Sequence, residues 1–72
     1  MTKLEVAKLV GVLIASFPNS KVSPETSLVY ERMLADLDYP AANAAVERLL
    51  ATARFMPMIA EIRESALTLE RG

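Results

Sequence analysis

The side chains most capable of chemistry are two pairs of carboxylates, Asp36 with Asp38 and Glu61 with Glu64. General acid–base catalysis needs two carboxyls whose pKa values are driven apart in a cleft. Both pairs have simpler roles. Asp38 is the expected N-cap of a helix, and Glu61 and Glu64 fall near the start of another, where acids favour the helix dipole. We therefore expect no enzyme activity and no catalytic residue.

The residue types that are missing exclude several kinds of site. The chain has no cysteine and no histidine, which excludes disulfides, a structural zinc site and a Ser-His-Asp or Cys-His apparatus. Gly11 and Gly72 are isolated, so no glycine-rich phosphate loop is present. A calcium site needs roughly six to eight oxygen ligands, which no cluster here supplies. We expect no cofactor and no metal.

Length and charge limit the partners. The 72 residues allow one domain, 1–72, and a chain this short buries only about 60 % of its unfolded surface. Net charge is −1, and no two of the eight basic residues are adjacent, so direct DNA binding is not expected. The apolar run 9–16 is far shorter than the roughly 20 residues that cross a bilayer. We expect no membrane contact and a cytoplasmic protein.

Hydrophobic periodicity predicts four short helices at approximately 3–16, 24–37, 39–53 and 57–69, with no competing strand pattern. The predicted fold class is therefore all-α, a compact bundle of these helices. Each start coincides with a capping residue or a proline, which suits the first turn because it lacks an N–H. These start signals are Thr2 with Glu5, Ser23 with Pro24, Asp38 with Pro40, and Pro57.

Three packing expectations follow from the apolar pattern. Phe55 and Met56 are expected to enter the core just before the last helix. Gly11, a weak helix former, is expected to allow close approach of a neighbouring helix. The core face of the second helix is predicted to comprise Thr26, Val29, Tyr30, Met33, Leu34 and Leu37.

Some apolar residues fall off the predicted core faces, namely Leu4, Val12, Leu28 and Leu67. Adjacent exposed leucines would form a patch for a partner or for self-association, whereas single ones are common on protein surfaces. Burial against a neighbouring helix of the same chain is the alternative for Leu28 and Leu67. Two arginines could border such a patch. The candidate partner-binding residues are Leu28, Arg54, Arg63 and Leu67.

Residues 54–62, Arg-Phe-Met-Pro-Met-Ile-Ala-Glu-Ile, carry a resemblance that extends over nearly the whole chain. They resemble the N-terminal domain of the phage replicative helicase loader/inhibitor family, in which a basic residue and Phe precede Pro-Pro, a small or polar residue, Ile, Ala, an acid and Ile. Phe17-Pro18-Asn19 and Asp38-Tyr39 match other steps of the family pattern. The sequence departs from that pattern at Met56, Met58 and Tyr30, where proline, a small or polar residue and tryptophan are usual.

The resemblance implies a non-catalytic domain of a phage or prophage replication protein. Its partner would be a DnaB-type replicative helicase, or an origin-binding initiator that recruits the helicase, and it would load or inhibit that helicase in the host bacterial cytoplasm. In the family a flexible C-terminal segment is implicated in gripping the helicase. The sequence ends at Gly72 without one, so we expect either a truncated chain or a different grip.

Two alternatives remain open at this stage. The second and third helices could form a helix-turn-helix DNA-binding module, although the third offers only Asn43, Glu47 and Arg48 as polar readers of base edges. The chain could also be a small helical oligomerisation domain whose off-face leucines pair between copies.

Overall fold

In the computed structural model, which describes residues 1–71, the chain forms α1 (Lys3–Ser16), α2 (Pro24–Leu34), α3 (Tyr39–Thr52) and α4 (Ile59–Arg71). These residues contain no strand, which confirms the predicted all-α class. The radius of gyration is 11.2 Å, as expected for a compact chain of this length. Contacts join α1 to α2 and α3, and join α4 to α2 and α3, so the helices ring the core in the order α1, α2, α4, α3.

The start signals of α1, α2 and α3 form the hydrogen bonds expected of helix caps. The Glu5 N–H donates to the Thr2 hydroxyl at 3.1 Å, and the Thr2 N–H donates to Glu5 Oε1 at 2.9 Å, which completes a capping box. Ser23 accepts from the Thr26 N–H, and Asp38 accepts from the Ala41 N–H. Each bond satisfies an N–H that has no partner within its own helix.

Helix α4 begins later than its proline predicted, at Ile59 instead of residue 57. Pro57 is buried and lies before the helix. The N–H of Met58 donates to Glu61 Oε1 at 3.0 Å, so this glutamate reaches back over the first turn as the acidic half of a capping box does. The start signal is therefore Glu61 acting on Met58, one step beyond the proline.

Helix α2 ends earlier than predicted, at Leu34 instead of residue 37. The Leu37 N–H donates to the Leu34 carbonyl at 3.1 Å, which closes a turn, and Leu37 remains buried as predicted. The α-amino group of Met1 donates to the carbonyls of Ala35 (2.6 Å) and Leu37 (3.1 Å). A cation thus meets the negative end of the helix dipole where the last carbonyls lack helical partners.

The helices contribute unequally to the core. Helix α1 supplies four buried side chains, whereas α2 and α4 supply two each. Met56 packs against this core as predicted, together with the half-buried Leu49 and Leu50. The buried residues are Val6, Leu9, Val10, Leu13, Tyr30, Leu34, Leu37, Ala42, Ala45, Val46, Ile62 and Ala66.

Three packing expectations are wrong. Phe55 does not enter the core, because 82 % of its surface is exposed. Thr26, Val29 and Met33, predicted to face inward, are exposed, since the inward arc of α2 is narrow and is filled by Tyr30 and Leu34. No atom lies within 4 Å of the position that a Cβ on Gly11 would take, so no helix approaches there.

Candidate partner-binding surface

Arg63 joins α4 to the end of α2 through three hydrogen bonds. Its Nη1 donates to Asp36 Oδ1 and to the Met33 carbonyl, both at 2.6 Å, and its Nη2 donates to Asp36 Oδ2 at 2.9 Å. The hydrogen bonds from Arg63 hold the pKa of Asp36 below its ordinary value, and Asp36 in turn raises the pKa of Arg63. The two-bond fork fixes the planar guanidinium against the carboxylate.

A second polar contact joins the start of α4 to α2. The hydroxyl of Tyr30 donates to the carbonyl of Pro57 at 2.9 Å, in a buried setting. Burial raises the pKa of Tyr30, and the nearby negative charge of Glu61 raises this pKa further. Because both groups are removed from water, neither could lose its partner without cost.

Four exposed apolar side chains lie on α2 and α4 close in sequence to the residues of these two contacts. Met33 lies at the Arg63 contact, and Val29 lies one turn before it on α2. Met58 follows Pro57 at the tyrosine contact, and Leu67 lies one turn after Arg63 on α4. We call Val29, Met33, Met58 and Leu67, all of them exposed, the α2–α4 surface.

The four residues predicted from the sequence do not lie together. Leu67 belongs to the α2–α4 surface and Arg63 lies one turn before it, but the guanidinium of Arg63 is engaged within the chain. Leu28 is 62 % exposed and lies one turn before Arg32 on α2, the side that faces the start of α1. Neither Leu28 nor Leu67 is buried against a neighbouring helix.

Arg54 lies in the loop before α4, apart from the other candidates. It and the exposed Phe55 line an open cleft with the segment 16–20, which follows α1. Phe17 is half-buried there, and the Ser20 N–H donates to the Phe17 carbonyl at 2.9 Å. The cleft therefore combines the cation of Arg54 with the exposed ring of Phe55 and the half-buried ring of Phe17.

A shallow groove between α3 and α4 is lined mainly by polar side chains. Arg48, Glu61 and Glu64 line it with the hydroxyls of Thr52, Ser65 and Thr68. Thr68 donates to the Glu64 carbonyl at 2.9 Å, and Glu61 accepts from the Met58 N–H. Among residues 1–71 no group of His, Cys, Asp and Glu is placed to hold a metal ion.

Sequence reasoning missed Val29, Met33, Met58 and Phe55 as surface residues. Val29 and Met33 were assigned to the core because their spacing on the predicted second helix matched an inward face, and Phe55 because it lies just before the last helix. One signal could have corrected α2: its serine, threonine and glutamates leave room for only a narrow apolar face. For Phe55 the proline and methionine that follow gave no indication of which way the loop turns.

The fold is a small all-α bundle of four helices. A comparison with protein families matches residues 1–63 to the N-terminal domain of the phage helicase loader/inhibitor proteins. The chain belongs to this family. Searches of curated proteins and of solved structures gave no match.

None of the helices in the described residues combines the length and the apolar character needed to cross a membrane.

Proposed function

We propose that this chain is a non-catalytic protein-interaction domain that binds a DnaB-type replicative helicase and modulates its loading. An origin-binding initiator that recruits the helicase is the second partner in this proposal. The observation that carries it is the family match over residues 1–63, which spans α1 to α3 and the first turn of α4. The protein would act in the cytoplasm of the host bacterium.

The carboxylates support the non-catalytic part of the proposal. Glu5 and Asp38 cap helices, Asp36 is paired with Arg63, and Glu61 accepts from a backbone N–H. Glu70 accepts from the Asp38 N–H at 3.2 Å. These groups have structural partners, and no imidazole or thiol is available in the sequence to act as a base or nucleophile.

The proposal is tested by titrating a purified DnaB-type helicase with the full-length protein while heat is recorded by calorimetry. Saturable binding is the expected result, and its absence would sink the proposal. Loading and inhibition are then separated by measuring transfer of the helicase onto single-stranded DNA. A loader increases the amount of helicase on DNA, whereas an inhibitor decreases it.

No observation favours the DNA-binding alternative. Helix α3 packs against α1 and α4, Asn43 is half-buried, and Arg48 lies over a groove that it shares with Glu61 and Glu64. A recognition helix needs several free donors over a groove of DNA. Strong, salt-dependent binding to duplex DNA would restore this alternative.

Self-association also stays a proposal, with Leu28 and Leu67 as the residues that would pair between copies. Sedimentation over a wide range of protein concentration tests it. A species that remains monomeric at the highest concentration would contradict self-association.

A further inference from the structure

We propose that the cleft between residues 16–20 and 53–55, which we call the Arg54 cleft, binds a short extended peptide that carries carboxylates beside an aromatic side chain. This goes beyond the proposed function, which names a partner but neither a site nor the chemistry that the site receives. It rests on the proposed function only for the identity of the protein that supplies the peptide.

The Arg54 cleft lies where α1 and α3 both end. One wall is the segment 16–20 at the end of α1, and the other is residues 53–55, which follow α3. The Ser20 N–H donates to the Phe17 carbonyl at 2.9 Å, and the Ala53 N–H donates to the Leu49 carbonyl at 2.7 Å. Because these bonds already order both walls, binding costs little additional entropy in the main chain of the protein.

The charge of the Arg54 cleft is positive. Arg54 is the only charged residue that lines it, and among the described residues its exposed side chain forms no ion pair. The stretches 6–24 and 48–60, which supply the two walls, contain no aspartate or glutamate, and Lys21 directly follows the first wall. A carboxylate can form with Arg54 the two-bond fork that Asp36 forms with Arg63. The cleft therefore favours an anionic ligand.

Two phenylalanine rings give the cleft its apolar part. Phe55 is 82 % exposed, and Phe17 is half-buried. A further ring packs against such side chains edge-to-face or in an offset stack, and the contact removes apolar surface from water. Arginine and aromatic residues are also the types that most often dominate the binding energy of protein interfaces. The ligand therefore needs an aromatic side chain next to its carboxylates.

The main chain at the cleft favours a peptide over a nucleic acid. The carbonyls of Ser16 and Ala53 accept no hydrogen bond from the described residues, and neither α1 nor α3 has a basic residue in its last turn. Open carbonyls at a helix end attract N–H donors, which a peptide main chain supplies and a phosphate backbone does not. Arg54 and Lys21 are also fewer cations than a nucleic-acid strand requires.

The test uses two designed peptides, one with three aspartates next to a phenylalanine and a matched one with lysines in place of the aspartates. Each is titrated into the ¹⁵N-labelled full-length protein while amide chemical shifts are recorded. The acidic peptide is expected to shift amides within 16–20 and 53–55 and to bind at least about tenfold more tightly than the lysine peptide. Equal affinities, or shifts confined to other residues, would overturn the proposal. Oligothymidylate is the nucleic-acid probe, and its tighter binding at the same amides would also overturn it.

Matched charge reversals locate the contact. Arg54→Glu reverses the charge of the cleft, and Arg48→Glu makes the same change on α3 outside it. Both arginines are exposed, and circular dichroism checks that the variants remain folded. Only Arg54→Glu is expected to weaken binding of the acidic peptide, by about tenfold or more, and to strengthen binding of the lysine peptide. Equal changes in the two variants would contradict the assignment.

The aromatic part of the proposal is tested with Phe55→Ser, and Met58→Ser is its control because Met58 is also exposed and lies nearby in the sequence. Only the Phe55 variant is expected to lose binding of the acidic peptide, by about tenfold. Unchanged binding in that variant would overturn the role of the ring.

A helicase titration of the parent protein and the Arg54→Glu variant separates this proposal from the proposed function. Weaker binding of both the acidic peptide and the helicase in the variant would support both. Helicase binding without peptide binding at the cleft would overturn the cleft while leaving the proposed function intact. Peptide binding at the cleft without helicase binding would support the cleft and sink the helicase as the partner.

Discussion

Helices α1 and α2 lie side by side but are held in different ways. Helix α1 buries four aliphatic side chains, and no side chain of it bonds to another helix in the described residues. Helix α2 buries only Tyr30 and Leu34, and it is fixed at Pro57, at Arg63 and at the α-amino group of Met1 by hydrogen bonds. One helix is held by packing and the other largely by polar contacts.

The difference has a consequence for the surface of each helix. A helix held by packing must turn its large apolar side chains inward, since burial supplies its stability. A helix also held by hydrogen bonds from its middle and near its C-terminal end can leave Val29 and Met33 half exposed and stay in place. The candidate binding surface therefore occurs on the helix that contributes less to the core.

The largest expected effect tests the packed helix. Leu13→Ala removes a fully buried side chain of α1 and is expected to lower the free energy of unfolding by about 2–5 kcal/mol. Chemical denaturation measures this change. Met33→Ala on α2 is the matched control and should cost less than about 1 kcal/mol. Similar losses in the two variants would erase the distinction between the helices.

The next effect tests a polar contact of α2. Tyr30→Phe leaves the buried Pro57 carbonyl without its donor and is expected to lower the free energy of unfolding by about 1–2 kcal/mol. The pKa of Tyr30 is raised in the folded state, so its contribution is present below the ordinary tyrosine pKa and is lost as pH rises through the raised value. Stability that falls above about pH 10 in the parent protein but not in the variant would assign the effect to this hydroxyl.

A stabilising change tests the outward side of α1. Gly11→Ala is expected to raise the free energy of unfolding by about 0.5–1 kcal/mol, because alanine is the better helix former and nothing occupies the space that its methyl group would enter. The midpoint of thermal unfolding should rise by a few degrees. A lower midpoint would mean that another element packs at this position.

The smallest effect tests the contact between Arg63 and Asp36. Arg63→Ala is expected to cost about 0.5 kcal/mol at neutral pH, since the pair is exposed and screened by solvent. The pKa of Asp36 is lowered in the folded state, so the stability from this pair is present above the ordinary aspartate pKa and is lost as pH falls through the lowered value.

Denaturation at neutral pH and at about pH 2.5 compares the parent protein with this variant, and Asp36→Asn serves as the matched control. The difference between parent and variant should shrink at the lower pH. An unchanged difference would assign the effect to the Met33 carbonyl, which does not titrate in this range.

Local signals predicted much of the fold. The caps of α1 to α3 act between residues three apart, so the sequence alone contains all that they need. The inward face of α1 is equally local, because one apolar stripe fits one helix. The predicted end of α2 was wrong because carbonyls in and just after its last turn accept hydrogen bonds from Arg63 and Met1, about thirty residues away in the sequence.

The candidate surface was less accessible to sequence reasoning for the same physical reason. Whether Met33 faces inward depends on how far α2 is rotated, and the contacts of Tyr30 and Arg63 with distant residues set that rotation. Leu67 was identified because it lies off the apolar stripe of its own helix. Its degree of exposure depends on how α4 packs against α2 and α3, which the pattern of α4 alone does not give.

The acceptors that hold α2 are main-chain carbonyls at Met33, Ala35, Leu37 and, across the contact, Pro57. Every amino acid supplies a carbonyl, so the contact at residue 33 does not depend on which side chain is present there. Substitutions at Val29 and Met33 can therefore alter the surface without displacing the helix. These two positions can therefore vary in evolution while the fold stays constant.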